Sequence, residues 1–126
     1  MKAATRDWVR KAESDFLAAI ALSQQRKISL HDQVCFHCQQ SVEKYLKARL
    51  EEAGITSPKT HDLERLLALV VTVEPLWSSL RPHLKRLTDY AGNFRYPGNE
   101  ATTQEAKQAV ADCRAMRKEV RIALHL

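Results

Sequence analysis

The chain has 126 residues, with 20 lysines and arginines against 15 aspartates and glutamates and a net charge of +5. That length suits a single domain over residues 1–126, which can bury roughly two thirds of its unfolded surface without a disulfide or a metal. Three glycines, four prolines and three cysteines, with no alternating strand-like runs, argue against sheet architectures and against a disulfide framework, leaving an all-α class.

The opening residues MKAATRDWVRKAESD lack the apolar core of a signal peptide. No apolar run approaches the ~20 residues of a membrane span. A reducing, cytoplasmic setting without membrane contact is therefore expected. The basic excess permits an anionic partner, a nucleotide or a nucleic acid, but from charge alone a plain solvated surface with a mild basic bias is the preferred reading.

The first predicted helix runs from about Thr5 to Gln25, with Trp8, Ala12, Phe16, Ala19 and Ile20 on one face. Thr5 is its expected N-cap. RKISLHD interrupts the pattern, and Ser29 with Asp32 resembles a capping box ahead of the second helix.

The second helix centres on Val34 to Ala53. Cys35, Cys38, Val42, Tyr45, Leu46, Arg49, Leu50 and Ala53 fall at three- and four-residue steps, with Glu43, Lys44, Lys47 and Glu51 on the other side. This helix is expected to be the central post of the fold. Ala53-Gly54-Ile55 predicts its end: Gly54 suits the left-handed C′ position, and Ile55 can reach back to Leu50.

Thr60 is expected to cap a third helix, with Asp62 in its first turn and Leu63, Leu66, Leu67, Val70 and Val71 inward. Trp77, Leu80, Leu84, Leu87 and Ala91 keep helical spacing through Pro82. They predict one segment from about Pro75 to Tyr90, divided or kinked at Arg81-Pro82. AGNFRYPGN is dense in turn residues, and Asn99 is the expected cap of a last helix from about Glu100 to Leu124. Its core face carries Ala106, Ala109, Val110, Cys113, Met116, Val120 and Leu124. Short links favour an up-and-down four-helix bundle with a short additional helix.

His31, Cys35, His37 and Cys38 have the residue types of a zinc site. However, the two cysteines lie on the apolar seam, where cysteine acts as a small hydrophobe, and no second pair follows. A core role is the preferred reading, with no metal, no cofactor and no catalytic residue assigned. Arg114, Arg117, Lys118 and Arg121 form a basic stripe on the last helix. It reads as a solvated face near a helix C-terminus rather than a track for phosphates. Arg95-Tyr96-Pro97 admits two readings of equal standing. Arg95 offers a planar fork to phosphate and Tyr96 a ring to a base, or the triplet ties a loop to the bundle.

FHCQQSVEKYLKARL, then Lys59-Thr60-His61-Asp62-Leu63, then Tyr90 and Arg95-Tyr96-Pro97, resemble the HEPN (higher eukaryotes and prokaryotes nucleotide-binding) family, in order and over nearly the whole chain. The resemblance implies a four-helix bundle with a short extra helix, usually a homodimer. It is often encoded beside a small nucleotidyltransferase as a toxin–antitoxin or nucleotide-transfer pair. The fold is also similar to the substrate-binding half of aminoglycoside nucleotidyltransferases.

The match touches His37, Gln40, Glu43, Lys44, His61, Asp62, Arg95 and Tyr96. It implies a polar groove of Lys44, His61, Arg95 and Tyr96, supported by His37, Gln40, Glu43 and Asp62. The competing reading is a buried polar network that fixes helix register. Many relatives are metal-independent ribonucleases in which His follows an Arg after four to six residues. None follows Arg95 here, where the sequence continues Tyr96-Pro97-Gly98-Asn99-Glu100-Ala101-Thr102. The expectation is thus a binding module for a nucleotide, or for a nucleotidyltransferase partner, ahead of an RNA-cleaving enzyme.

Overall fold

The computed structural model describes residues 1–94 and 96–126. It is an all-α bundle: α1 (Ala3–Ser23), α2 (His31–Glu52), α3 (Leu63–Val70), a 3-10 helix (Pro75–Leu80), α4 (Arg81–Asn93) and α5 (Thr103–Ala123). α3 is the short member beside four longer helices. α2 is the central post, in contact with each of the other four α-helices. Val34, Cys35, Cys38, Val42, Tyr45, Leu46, Ala48 and Leu50 along it are all buried.

Small side chains let α1 approach α2 closely. Ala12, Ala19, Ser41 and Ala48 are fully buried, and the Ser41 hydroxyl donates to the Ala12 carbonyl at 2.8 Å. Opposite, α5 brings Ala109, Cys113 and Met116 into the same core. Burial pushes the Cys35 thiol up to about 12. The Cys38 thiol is raised too, by its hydrogen bond with Cys113 and then by burial. Cys35 and Cys38 therefore pack as neutral hydrophobes.

The end of α2 follows the sequence closely. Gly54 has φ +72°, its N–H donates to Glu51 at 3.0 Å, and the Ile55 N–H donates to Leu50 at 3.0 Å. These two bonds close a Schellman cap, and φ in this range strains any residue with a β-carbon.

Helix starts required correction. α1 begins at Ala3 and Thr5 lies inside it, buried. The carboxylate of Glu52 takes the capping role, accepting from the Lys2 N–H at 3.0 Å and from the Thr5 hydroxyl at 2.9 Å. The Ser29–Asp32 capping box does not form, because Leu30 occupies the N-cap and Asp32 accepts from the distant Ala101 N–H at 2.7 Å. Asp62, not Thr60, caps α3, accepting from the N–H groups of Glu64 and Arg65. Thr102, not Asn99, caps α5 through a reciprocal capping box with Glu105.

The Pro75 segment is divided where Pro82 was expected to act. A 3-10 helix ends at Leu80 and α4 begins at Arg81. α4 then continues to Asn93, past the expected Tyr90. Glu43, expected on the outward side of α2, is 4% exposed. Asp112 on α5 is 0% exposed. It is satisfied by His83 at 2.6 Å, by Arg86 through two bonds and by Gln108 at 3.0 Å. This cluster locks α4 to α5.

Candidate functional site

Because α2 is enclosed on most sides, its middle reaches the surface along a strip of Phe36, His37, Gln40, Lys44 and Lys47, and its two ends are open as well. Beside that strip lies an open cleft of about 570 Å³. One wall is Phe36, Gln39 and Gln40 of α2; the others are His61-Asp62 before α3 and Thr88, Ala91 and Gly92 of α4. Asp62 holds the start of α3. The Thr88 hydroxyl accepts from the Leu63 N–H at 3.3 Å, fixing α3 against α4.

The floor of the cleft is polar and satisfied. His61 Nδ1 meets Glu43 Oε1 at 2.7 Å, and Lys47 reaches the other oxygen at 3.2 Å. With Nδ1–H donating to the carboxylate, Nε2 of the neutral ring is left as the acceptor. The His61 side chain is 78% exposed while that of Glu43 is 5% exposed. A buried carboxylate thus steers an open imidazole. Gln39, also buried, donates to the His61 carbonyl at 3.2 Å and accepts from Gln40 at 2.8 Å.

Gly92 contributes a bare stretch of wall. A β-carbon there would meet nothing within 4 Å, so crowding does not require glycine. In a helix it costs roughly 1 kcal/mol against alanine.

Of the other expected residues, Lys44 and Tyr96 are not among those lining the cleft. Lys44 turns towards α1 and pairs with Asp15, which also accepts from His37 Nδ1 at 2.9 Å. Tyr96 is 64% exposed. It begins a turn with Pro97, Gly98 at φ +91° and Asn99, whose N–H donates to the Tyr96 carbonyl at 3.3 Å. Proline second and a positive-φ glycine third match a type II turn. Arg95 lies outside the described residues.

The structure therefore joins His61 to Glu43, and Gln40 to Gln39, while His37 and Lys44 share a separate cluster on Asp15. Sequence reasoning missed Phe36, Gln39, Thr88 and Gly92 as cleft residues. It also missed Asp15, although Asp15 stands three residues after Ala12 and four before Ala19 on the packed face. That spacing was the available signal.

The basic stripe is partly used internally. Arg117 binds Glu13, with Nε at 3.0 Å, and lies 4.5 Å over the Phe16 ring. Among the described residues no His, Cys, Asp and Glu group is arranged to hold a metal ion. His31 instead meets the Thr103 hydroxyl at 3.1 Å. Another groove, of about 470 Å³, carries Glu74, Glu119, Leu76 and Ile122 on its walls, and Glu74 there is paired with Arg49 at 2.9 Å. Among the described residues no helix is long and apolar enough to cross a membrane.

Compared with known proteins, the chain matches the family model described as HEPN domain over residues 5–123. No curated protein and no solved structure matches it.

Proposed function

The chain belongs to the HEPN domain family, and from that premise we propose that it is a binding module whose cleft between α2, α3 and α4 takes a nucleotide. The observation that carries this reading is the convergence, at one open cleft, of an aromatic face, side-chain amides and a steered imidazole. Phe36 offers a ring for a base. His61, protonated, offers an Nε2–H to a phosphate oxygen, with Glu43 balancing the charge from behind. Assembly as a homodimer and recognition of a small nucleotidyltransferase belong to the same proposal, as does the cytoplasm, which suits three free thiols.

Calorimetry of the full chain with nucleoside triphosphates tests it. Binding is expected in the parent and weaker binding in both His61→Ala and Gly92→Leu, whose side chain narrows the cleft of about 570 Å³. Absence of heat with every nucleotide overturns the reading.

A second reading, RNA cleavage, is favoured by one observation. The chain lacks a His four to six residues after Arg95, yet His61 is held by a buried carboxylate in the manner of a general base and its orienting group. In that role Nε2 takes the proton of an attacking hydroxyl. Incubation with RNA decides between them: cleavage lost in both His61→Ala and Arg95→Ala would put the enzyme first, and uncleaved RNA leaves the binding module.

A further inference from the structure

We infer that the outer face of α1, where α5 overhangs it, is a docking groove for an amphipathic helix of a partner protein, acidic along its edges; this goes beyond the nucleotide reading and does not depend on it. A groove of about 490 Å³ runs along α1 past Arg6, Val9, Arg10, Glu13 and Leu17. It shares no lining residue with the cleft. Its apolar part is open: Leu17 is 59% exposed and Val9 is half-buried. Single apolar side chains are common on protein surfaces, so Leu17 alone would mean little. The charge set around it gives it meaning.

Arginines stand on both sides. Arg6 and Arg10 line the groove from α1. From α5, Arg117 binds Glu13 through Nε at 3.0 Å, and the guanidiniums of Arg114 and Arg117 lie over the Phe16 ring at 5.7 and 4.5 Å. Arg121 is close enough to Glu13 to help lower its carboxyl. Among the described residues the ion pairs of this set are Arg10 with Asp7 and Arg117 with Glu13, which leaves Arg6, Arg114 and Arg121 uncompensated. Arg6 donates only to the Met1 carbonyl, at 2.6 Å, a bond that keeps its charge.

The residue type points the same way. Arginine, not lysine, fills each of these positions. Its planar fork takes a carboxylate with two bonds, and it is enriched at protein interfaces where lysine is depleted. An apolar floor between cationic rims complements a helix with an apolar seam and acidic flanks. The dimensions agree. Val9 and Leu17 lie about 12 Å apart along α1 at about 1.5 Å per residue, close to the two turns that separate i and i+7 anchors on a docked helix. A single-stranded nucleic acid needs open aromatic rings for its bases. The ring at this face, Phe16, is 7% exposed and already covered by arginines.

The test is fluorescence anisotropy of the full chain with two labelled synthetic peptides and a labelled single-stranded RNA. One peptide is an amphipathic helix with leucines at i, i+3 and i+7 and glutamates at the flanking positions; the other carries lysines in place of the glutamates. The variants are Leu17→Ser and Arg114→Ala, both at exposed positions, each checked for native helicity by circular dichroism. The acidic peptide is expected to bind and the lysine peptide not. Leu17→Ser is expected to weaken the acidic peptide about tenfold or more, as the loss of one buried leucine contact does. Arg114→Ala is expected to weaken it severalfold and to make the remaining binding less sensitive to salt. Acidic-peptide binding no tighter than that of the lysine peptide, or unmoved by Leu17→Ser, overturns the inference. RNA binding that exceeds that of the acidic peptide, falls in Arg114→Ala and ignores Leu17→Ser overturns it too, and gives the face to a nucleic acid.

Discussion

Glu13 on α1 sits at a junction of three helices. The Tyr45 hydroxyl of α2 and the Arg117 guanidinium of α5 both donate to its carboxylate. The bond to Arg117 is the main reason its pKa lies below the ordinary 4.5, against an opposing push from burial. A carboxyl with a depressed folded value binds fewer protons folded than unfolded, so its contribution is complete above the ordinary value and fades as pH falls through the folded value. Glu13→Gln should therefore lower stability by about 1–3 kcal/mol near neutral pH. The gap to the parent should close as pH falls from 4.5 through the depressed value. Urea midpoints of both chains across that range check it, and a gap independent of pH would show that the charge is not what Glu13 contributes. This junction was only half legible in the sequence. Tyr45 and Arg117 were placed on their helices, but the partner of each depends on which faces meet. The same limit hid Asp112, whose spacing from Ala109 and Met116 was helical but whose polarity argued for the surface.

At the scale of the elements, the helices were legible because apolar spacing marks them, and their starts were not, because several capping residues compete within a few positions. Local chemistry settled the end of α2, where glycine alone avoids strain at φ +72°. Tertiary contacts settled the starts. Asp32 was diverted to Ala101, and α1 took its cap from Glu52, 50 residues away from Lys2. For α5 the choice between Asn99 and Thr102 turns on Glu105. It sits three residues after Thr102 and returns a bond to the Thr102 N–H at 3.0 Å, while the Thr102 hydroxyl accepts from Glu105 at 3.1 Å. Thr102→Ala is expected to cost about 1 kcal/mol, and Asn99→Ala no more than about 0.5 kcal/mol. Chemical denaturation of the two variants compares them directly. Equal losses would mean that the capping box carries no more weight than an ordinary turn residue.

For the whole molecule, one helix serves as the shared wall of the core, and this shapes both the cleft and the way the fold comes apart. The cleft was partly legible: the motifs drew attention to Gln40, Glu43, His61 and Asp62, which lie on or under it. Thr88 and Gly92 come from α4, and nothing in a linear pattern says that α4 closes the other side. Since α1, α3, α4 and α5 all pack on α2, none of them keeps its buried face if α2 leaves. Leu46, fully buried on α2, probes this. Leu46→Ala should cost about 2–5 kcal/mol, a large part of the roughly 5–15 kcal/mol that holds a domain together. The loss should be felt everywhere at once. Trp8 in α1 and Trp77 in the 3-10 helix report two separate parts of the bundle by fluorescence, and far-ultraviolet circular dichroism reports all the helices. In both the parent and Leu46→Ala the two signals are expected to change at one urea concentration, shifted lower in the variant. Fluorescence that moves ahead of the dichroism would show a part of the bundle opening by itself, and would remove α2 from its role as the common support.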